Sequence, residues 1–147
     1  MSEILETYWT PHFGNTVEAK ALVSHLSSEE RNPLEVHALF EDLGLDSLSG
    51  NYTDTDLEGF GDAFLVVASL AVLMAENKAA GGVDLNAVGG DSKTIKLHVD
   101  SKENTQINTA LKYFALSPED HSAAERIDED ELSDLANLCE QLRGQLD

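Results

Sequence analysis

Lysine and arginine are scarce in this chain: nine of them stand against 28 aspartates and glutamates, a formal net charge of −19. Direct contact with nucleic acid requires cations that neutralise phosphates, so a nucleic-acid binder is excluded. Anionic membrane surfaces repel the chain for the same reason. Cysteine is scarcer still. Cys139 is alone, which rules out an internal disulfide framework and fits a reducing compartment. The opening residues Met1–Trp9 are acidic and lack a basic flank followed by an apolar core. An ordinary secretory signal is therefore not expected, and a cytoplasmic location is.

Long apolar runs are absent with one exception. Between Asp62 and Glu76 lie thirteen residues, Ala63 to Ala75, with Ser69 the only polar one. A helix apolar on every face has to be enclosed by lipid or by protein. This run spans only ~20 Å as a helix, too short for a ~30 Å hydrocarbon core. It reads as the buried central helix, about 62–77, of a single domain covering residues 1–147.

The remaining elements follow from period and caps. Met1–Gly14 carries Tyr8, Trp9, His12 and Phe13, an aromatic arm laid on the core. Asn15-Thr16-Val17-Glu18 has the form of a cap with a glutamate three residues on, opening a helix to about Leu26. Asn32-Pro33-Leu34-Glu35 predicts a second helix start, ending at Gly44. Asp46–Asp56 is a polar loop. Val83, Leu85 and Ala87, then Ile95, Leu97 and Val99, alternate with polar residues around Gly89-Gly90-Asp91-Ser92, which predicts one short β-hairpin at about 83–99. Ile107, Ala110, Leu111 and Phe114 share a helical face. Ser117-Pro118 opens a short helix through Arg126. Leu132, Leu135, Cys139, Leu142 and Leu146 form a final stripe that suits a core or a seam between two copies in a homodimer; its two heptads favour core. The fold class is mainly α: a small helical bundle around the central helix, with one hairpin.

The acid is unevenly placed. Asn32 to Asn77 holds no Lys or Arg but nine carboxylates, and Glu119 to Asp134 holds eight against Arg126 alone. Crowded like charges repel. The cations gather between the two blocks, at Lys78, Lys93, Lys96, Lys102 and Lys112.

Phe40-Glu41-Asp42-Leu43-Gly44-Leu45-Asp46-Ser47-Leu48 resembles the segment of acyl and peptidyl carrier proteins in which an acidic Leu-Gly turn precedes Asp-Ser-Leu. That resemblance covers nine residues and implies 4′-phosphopantetheine on Ser47. The residues after Ser47, Ser49-Gly50-Asn51-Tyr52-Thr53, are poor helix formers, where the carrier family has a helix. Asp54, Asp56, Glu58 and Asp62 stand at cation-loop spacing, but Leu65 occupies the place of the bidentate glutamate, and a capped helix start explains the same residues. The five histidines form no metal-binding motif. Cys139, on an apolar stripe, is an inert core thiol. No cofactor is expected, and an enzyme is the minority reading.

The leading expectation is an acidic, non-catalytic interaction protein that occupies the basic surface of a nuclease or other nucleic-acid-handling partner. Immunity proteins against nuclease toxins and DNA mimics that block defence systems are the analogous classes. Glu41, Asp42, Asp46, Asp54, Asp56, Glu58, Asp128, Asp130 and Glu131 are the residues expected on that face. The alternatives are a carrier-like protein modified on Ser47 and a structural or regulatory helical subunit. The same charge also serves solubility alone.

Overall fold

A computed structural model describes residues 3–10, 12–45, 56–57, 59–121, 124–125 and 127–146. The aromatic opening coils into a π-helical turn, Leu5–Trp9, and a 3₁₀ turn, Phe13–Asn15. Leu5, Tyr8, Trp9 and Phe13 are all buried, so the arm does cover the core. Helix α1 spans Val17–Ser27. Its cap is Thr16, one residue later than expected, whose hydroxyl accepts the Ala19 N–H at 3.0 Å. Glu18 does not close a capping box. It turns inward, with a consequence for the central helix described below.

The expected helix start at Asn32-Pro33 is corrected. Leu34–Glu35 form a short strand, β1, and helix α2 runs Val36–Leu43. β1 pairs in parallel with Leu97–His98. Asn32 is unavailable as a cap because its amide donates to Thr94 O at 3.0 Å and accepts the Lys96 N–H at 2.9 Å. It thus imitates one residue of a strand. α2 stops at Gly44 as expected, where the Leu45 N–H returns to Phe40 O at 2.8 Å.

Strands β2, Asp56–Leu57, and β3, Gly61–Asp62, pair antiparallel and lead straight into α3, Ala63–Ala80. Asp62 caps it, accepting the Leu65 N–H at 3.1 Å, and Gly81 ends it at φ +78°. Every residue from Ala63 to Glu76 is buried. Ser69 is no exception in effect, since its hydroxyl donates to Leu65 O one turn back at 2.8 Å. By length and composition α3 is able to cross a membrane; here α1, α4, α5 and the N-terminal turn surround it.

The hairpin forms over two residue pairs, with β4, Val83–Asp84, antiparallel to β5, Thr94–Ile95. A 3₁₀ turn, Leu85–Val88, replaces the outer part of the expected alternation. The next strand, β6, is Leu97–His98. Its free edge is held by Asn77 of α3, whose amide donates to Leu97 O at 2.8 Å and accepts the Leu97 N–H at 2.9 Å. Two-residue strands are marginal alone, and asparagine amides extend these.

Helix α4, Ser101–Leu116, buries Ile107, Ala110, Leu111 and Phe114, the face expected of it. A 3₁₀ turn, Pro118–Asp120, leads towards α5, Glu129–Leu146. The pair is antiparallel. Asn104 near the start of α4 donates to Leu146 O at 3.3 Å, and Arg143 Nε donates to Asn108 Oδ1 at 2.8 Å. Leu135, Leu138, Cys139, Leu142 and Leu146 are buried within the chain, so the C-terminal stripe is core. Cys139 is fully enclosed and burial pushes its thiol pKa well up.

Candidate partner-binding surface

The chain has few cations, and the structure shows which carboxylates receive one. On the loop after α1, Arg31 donates from Nε to Glu29 Oε1 and from a terminal nitrogen to Glu29 Oε2, both at 2.9 Å. It also reaches the Asp42 carboxylate on the last turn of α2. A guanidinium fork matches two carboxylates in this way. These hydrogen bonds outweigh desolvation and hold the Glu29 carboxyl at about 2, well below its usual range. His25 joins Glu29 and Asp42 in a group whose ligand atoms lie within 4.8 Å of one another. Arg31 already bridges the two carboxylates, so Glu29 and Asp42 belong to an ion-pair network, while the His25 Nε2 is buried without a hydrogen-bond partner.

Glu41, one residue before Asp42, meets His37 Nε2 at 3.1 Å. The other nitrogen of His37 faces the buried carboxylate of Glu103 in α4 at 3.5 Å. Glu41 and Asp42 therefore sit side by side on α2, each with an internal partner.

The second acidic group is built differently. Glu129, Asp130 and Glu131 form the first turn of α5, where the positive helix end favours carboxylates. Glu131 pairs with His12 of the N-terminal arm at 2.8 Å. Glu119, Asp120, Glu125, Asp128, Glu129 and Asp130 are exposed, and among the described residues none has an ion-pair partner.

Of the residues expected on one face, then, the structure assembles two separate patches. Asn104, next to Glu103, lies against Leu146, whereas Glu131 stands fifteen residues before Leu146. At 1.5 Å per residue the Glu41 and Glu131 ends are ~20 Å apart along the α4–α5 pair. Asp46, Ser47, Asp54 and Glu58 lie outside the described residues, and Asp56 enters through the backbone pairing of β2 with Asp62 in β3. Asp62 is buried and caps α3.

Asp62 has a companion that period and spacing did not reveal. Glu18 of α1 is buried, and its Oε2 accepts the Asp62 N–H at 2.9 Å. A Cβ on Gly61 would lie 2.5 Å from that oxygen, and Gly61 has φ +115°. Glycine is required there on both counts. Two carboxylates thus anchor the N-terminus of the central helix. Tyr113 and Leu116 also went unmarked by the sequence reading. They fall off the Ile107–Phe114 face of α4, and a helical projection would have found them.

His121 closes the α4–α5 corner. It is buried edge-on to Phe64 and Phe114, with ring centroids 4.9 Å away in each case, and those two phenylalanines stack at 4.4 Å. Its Nδ1 meets Ser117 O at 3.3 Å and its Nε2 has no partner. Burial lowers its pKa against the opposing pull of the Ser117 carbonyl, Asp62, Asp120 and Glu119.

A family model described as Immunity protein 68 matches residues 4–146, nearly the whole chain. No curated protein and no solved structure matches.

Proposed function

The chain belongs to the immunity protein 68 family, a non-catalytic family whose members bind a partner toxin, and from that premise we propose that its acidic surface neutralises a basic, nucleic-acid-handling toxin by occupying the toxin's cationic face. The single observation that carries the finer part is the charge: a net −19, with exposed Glu119, Asp120, Glu125, Asp128, Glu129 and Asp130 lacking an ion-pair partner among the described residues. Such a surface raises the encounter rate with a basic partner and repels competing acidic ones. Carboxylates would stand where the toxin otherwise holds phosphates. Neutralisation would then be stoichiometric, because an inhibitor that covers a site acts one molecule per toxin.

The test is a titration of toxin activity with this protein, followed by association kinetics over a salt series. Inhibition should end at a 1:1 ratio, and the association rate should fall steeply between about 0.05 and 0.5 M salt as the Debye length shrinks. An association rate constant that is flat across that range would overturn the electrostatic reading. Inhibition well below a 1:1 ratio would overturn the occlusion mechanism.

A further inference from the structure

We propose that the toxin docks on the outer face of the last turn of α4, with Tyr113 and Leu116 as its apolar anchor and Glu119 and Asp120 as the adjoining acidic rim. The inference rests on the reading of the chain as a toxin-binding protein and locates the contact on it. Among the described residues three large hydrophobic side chains are exposed: Val17 at 62%, Tyr113 at 46% and Leu116 at 67%. Val17 stands alone at the start of α1. Tyr113 and Leu116 are three residues apart on one helix, so they meet on one face.

That face is otherwise polar. Lys102, Thr105 and Thr109 precede them as exposed residues, while the apolar face that packs the core is Ile107, Ala110, Leu111 and Phe114. Tyr113 and Leu116 are therefore surplus to the fold. An exposed tyrosine beside an exposed leucine is the composition of an interface centre, where a few aromatic and apolar side chains dominate affinity. The platform beneath is firmly packed, with Phe114 stacked on Phe64 of the central helix and His121 wedged against both. Little ordering is then lost on binding.

Charge complementarity selects the occupant. Directly after Leu116 the chain turns through Pro118–Asp120, with Glu119 and Asp120 exposed and without ion-pair partners among the described residues. Exposed Glu125 and Asp128 follow. Among the described residues from Lys112 to Asp128, Lys112, beside Tyr113, is the one Lys or Arg; by sequence Arg126 also falls within the acidic run. At the α2 end, by contrast, Asp42 is held by Arg31 and Glu41 by His37. A second copy of so acidic a chain would be repelled from the 119–128 segment. A toxin with an apolar pocket ringed by Lys and Arg fits it.

The probe is an inactivated form of the toxin domain that the wild-type protein neutralises. Binding is compared for wild type, the pair Tyr113→Ser with Leu116→Ser, the pair Glu119→Gln with Asp120→Asn, and the distal pair Glu6→Gln with Glu30→Gln, both exposed. The serine pair should weaken binding about 30-fold or more, mainly through faster dissociation. The rim pair should slow association, and the distal pair should stay within about threefold of wild type. Leu116→Asn alone repeats the test should the serine pair melt early. If wild type binds and the serine pair binds as well, the docking site is elsewhere while the toxin-binding reading stands. If wild type binds no toxin, both fall. Self-association of the wild type that the serine pair abolishes would assign the patch to a second copy and overturn the proposal.

Discussion

Replacing Glu18 tests whether the polar anchor at the mouth of the central helix carries stability. In the native chain a buried carboxylate accepts the Asp62 N–H at 2.9 Å, and Asp62 in turn caps α3. Glu18→Ala removes a charge-assisted hydrogen bond and leaves a buried N–H without an acceptor, each a loss of about 1–3 kcal/mol that overlaps with the other. The combined cost should be about 3 kcal/mol, or a fall in Tm of about 9 °C for a chain of this size. Glu18→Gln keeps an acceptor oxygen and should cost about 1 kcal/mol. Gly61→Ala forces a side chain into φ +115° and to 2.5 Å from the Glu18 oxygen, at about 2 kcal/mol. Combined with Glu18→Ala the clash disappears, so the double variant should cost less than the two singles together by about 1 kcal/mol. Urea denaturation of wild type and the four variants supplies all the terms. A Glu18→Ala variant as stable as wild type, or strict additivity, would refute the anchor.

Two further predictions concern titration. Glu29 should titrate near 2 by carboxyl NMR, and Arg31→Gln should return its midpoint towards the usual carboxylate range; an unchanged midpoint would mean that the Arg31 hydrogen bonds are not its cause. Because the folded value is depressed, the stability Glu29 contributes is complete above its ordinary 4.5 and disappears as pH falls towards 2. His121 also has a lowered folded value, so only the unfolded chain gains its proton readily as pH falls through its ordinary 6.5. Its neutral, buried form should then stabilise the fold above 6.5 and progressively less below it. Denaturation at pH 7.5 and 5.5 should show a smaller pH loss in His121→Leu than in wild type; equal losses would remove His121 from the account.

The functional reading was legible in composition and not in motif. A surplus of carboxylates with no catalytic signature pointed to a non-catalytic partner-binding chain, and the family match places it among toxin-immunity proteins. The nine-residue likeness to carrier proteins around Ser47 carries less than a match over residues 4–146. Which carboxylates are open to a partner was hidden. That depends on where Arg31, His37 and His12 fold back, and each reaches a residue on another element.

Sequence by itself determined the central helix and the inward faces of α4 and α5. These depend on period and on residues within a turn or two, so local chemistry suffices. Only the tertiary structure decided that Leu34 lies beside Leu97, that Asn32 serves a strand instead of a helix, and that Glu18 guards Asp62. A polar side chain has several nearly equivalent ways to satisfy its hydrogen bonds. The choice among them is made by whichever backbone the packed core brings within 3 Å.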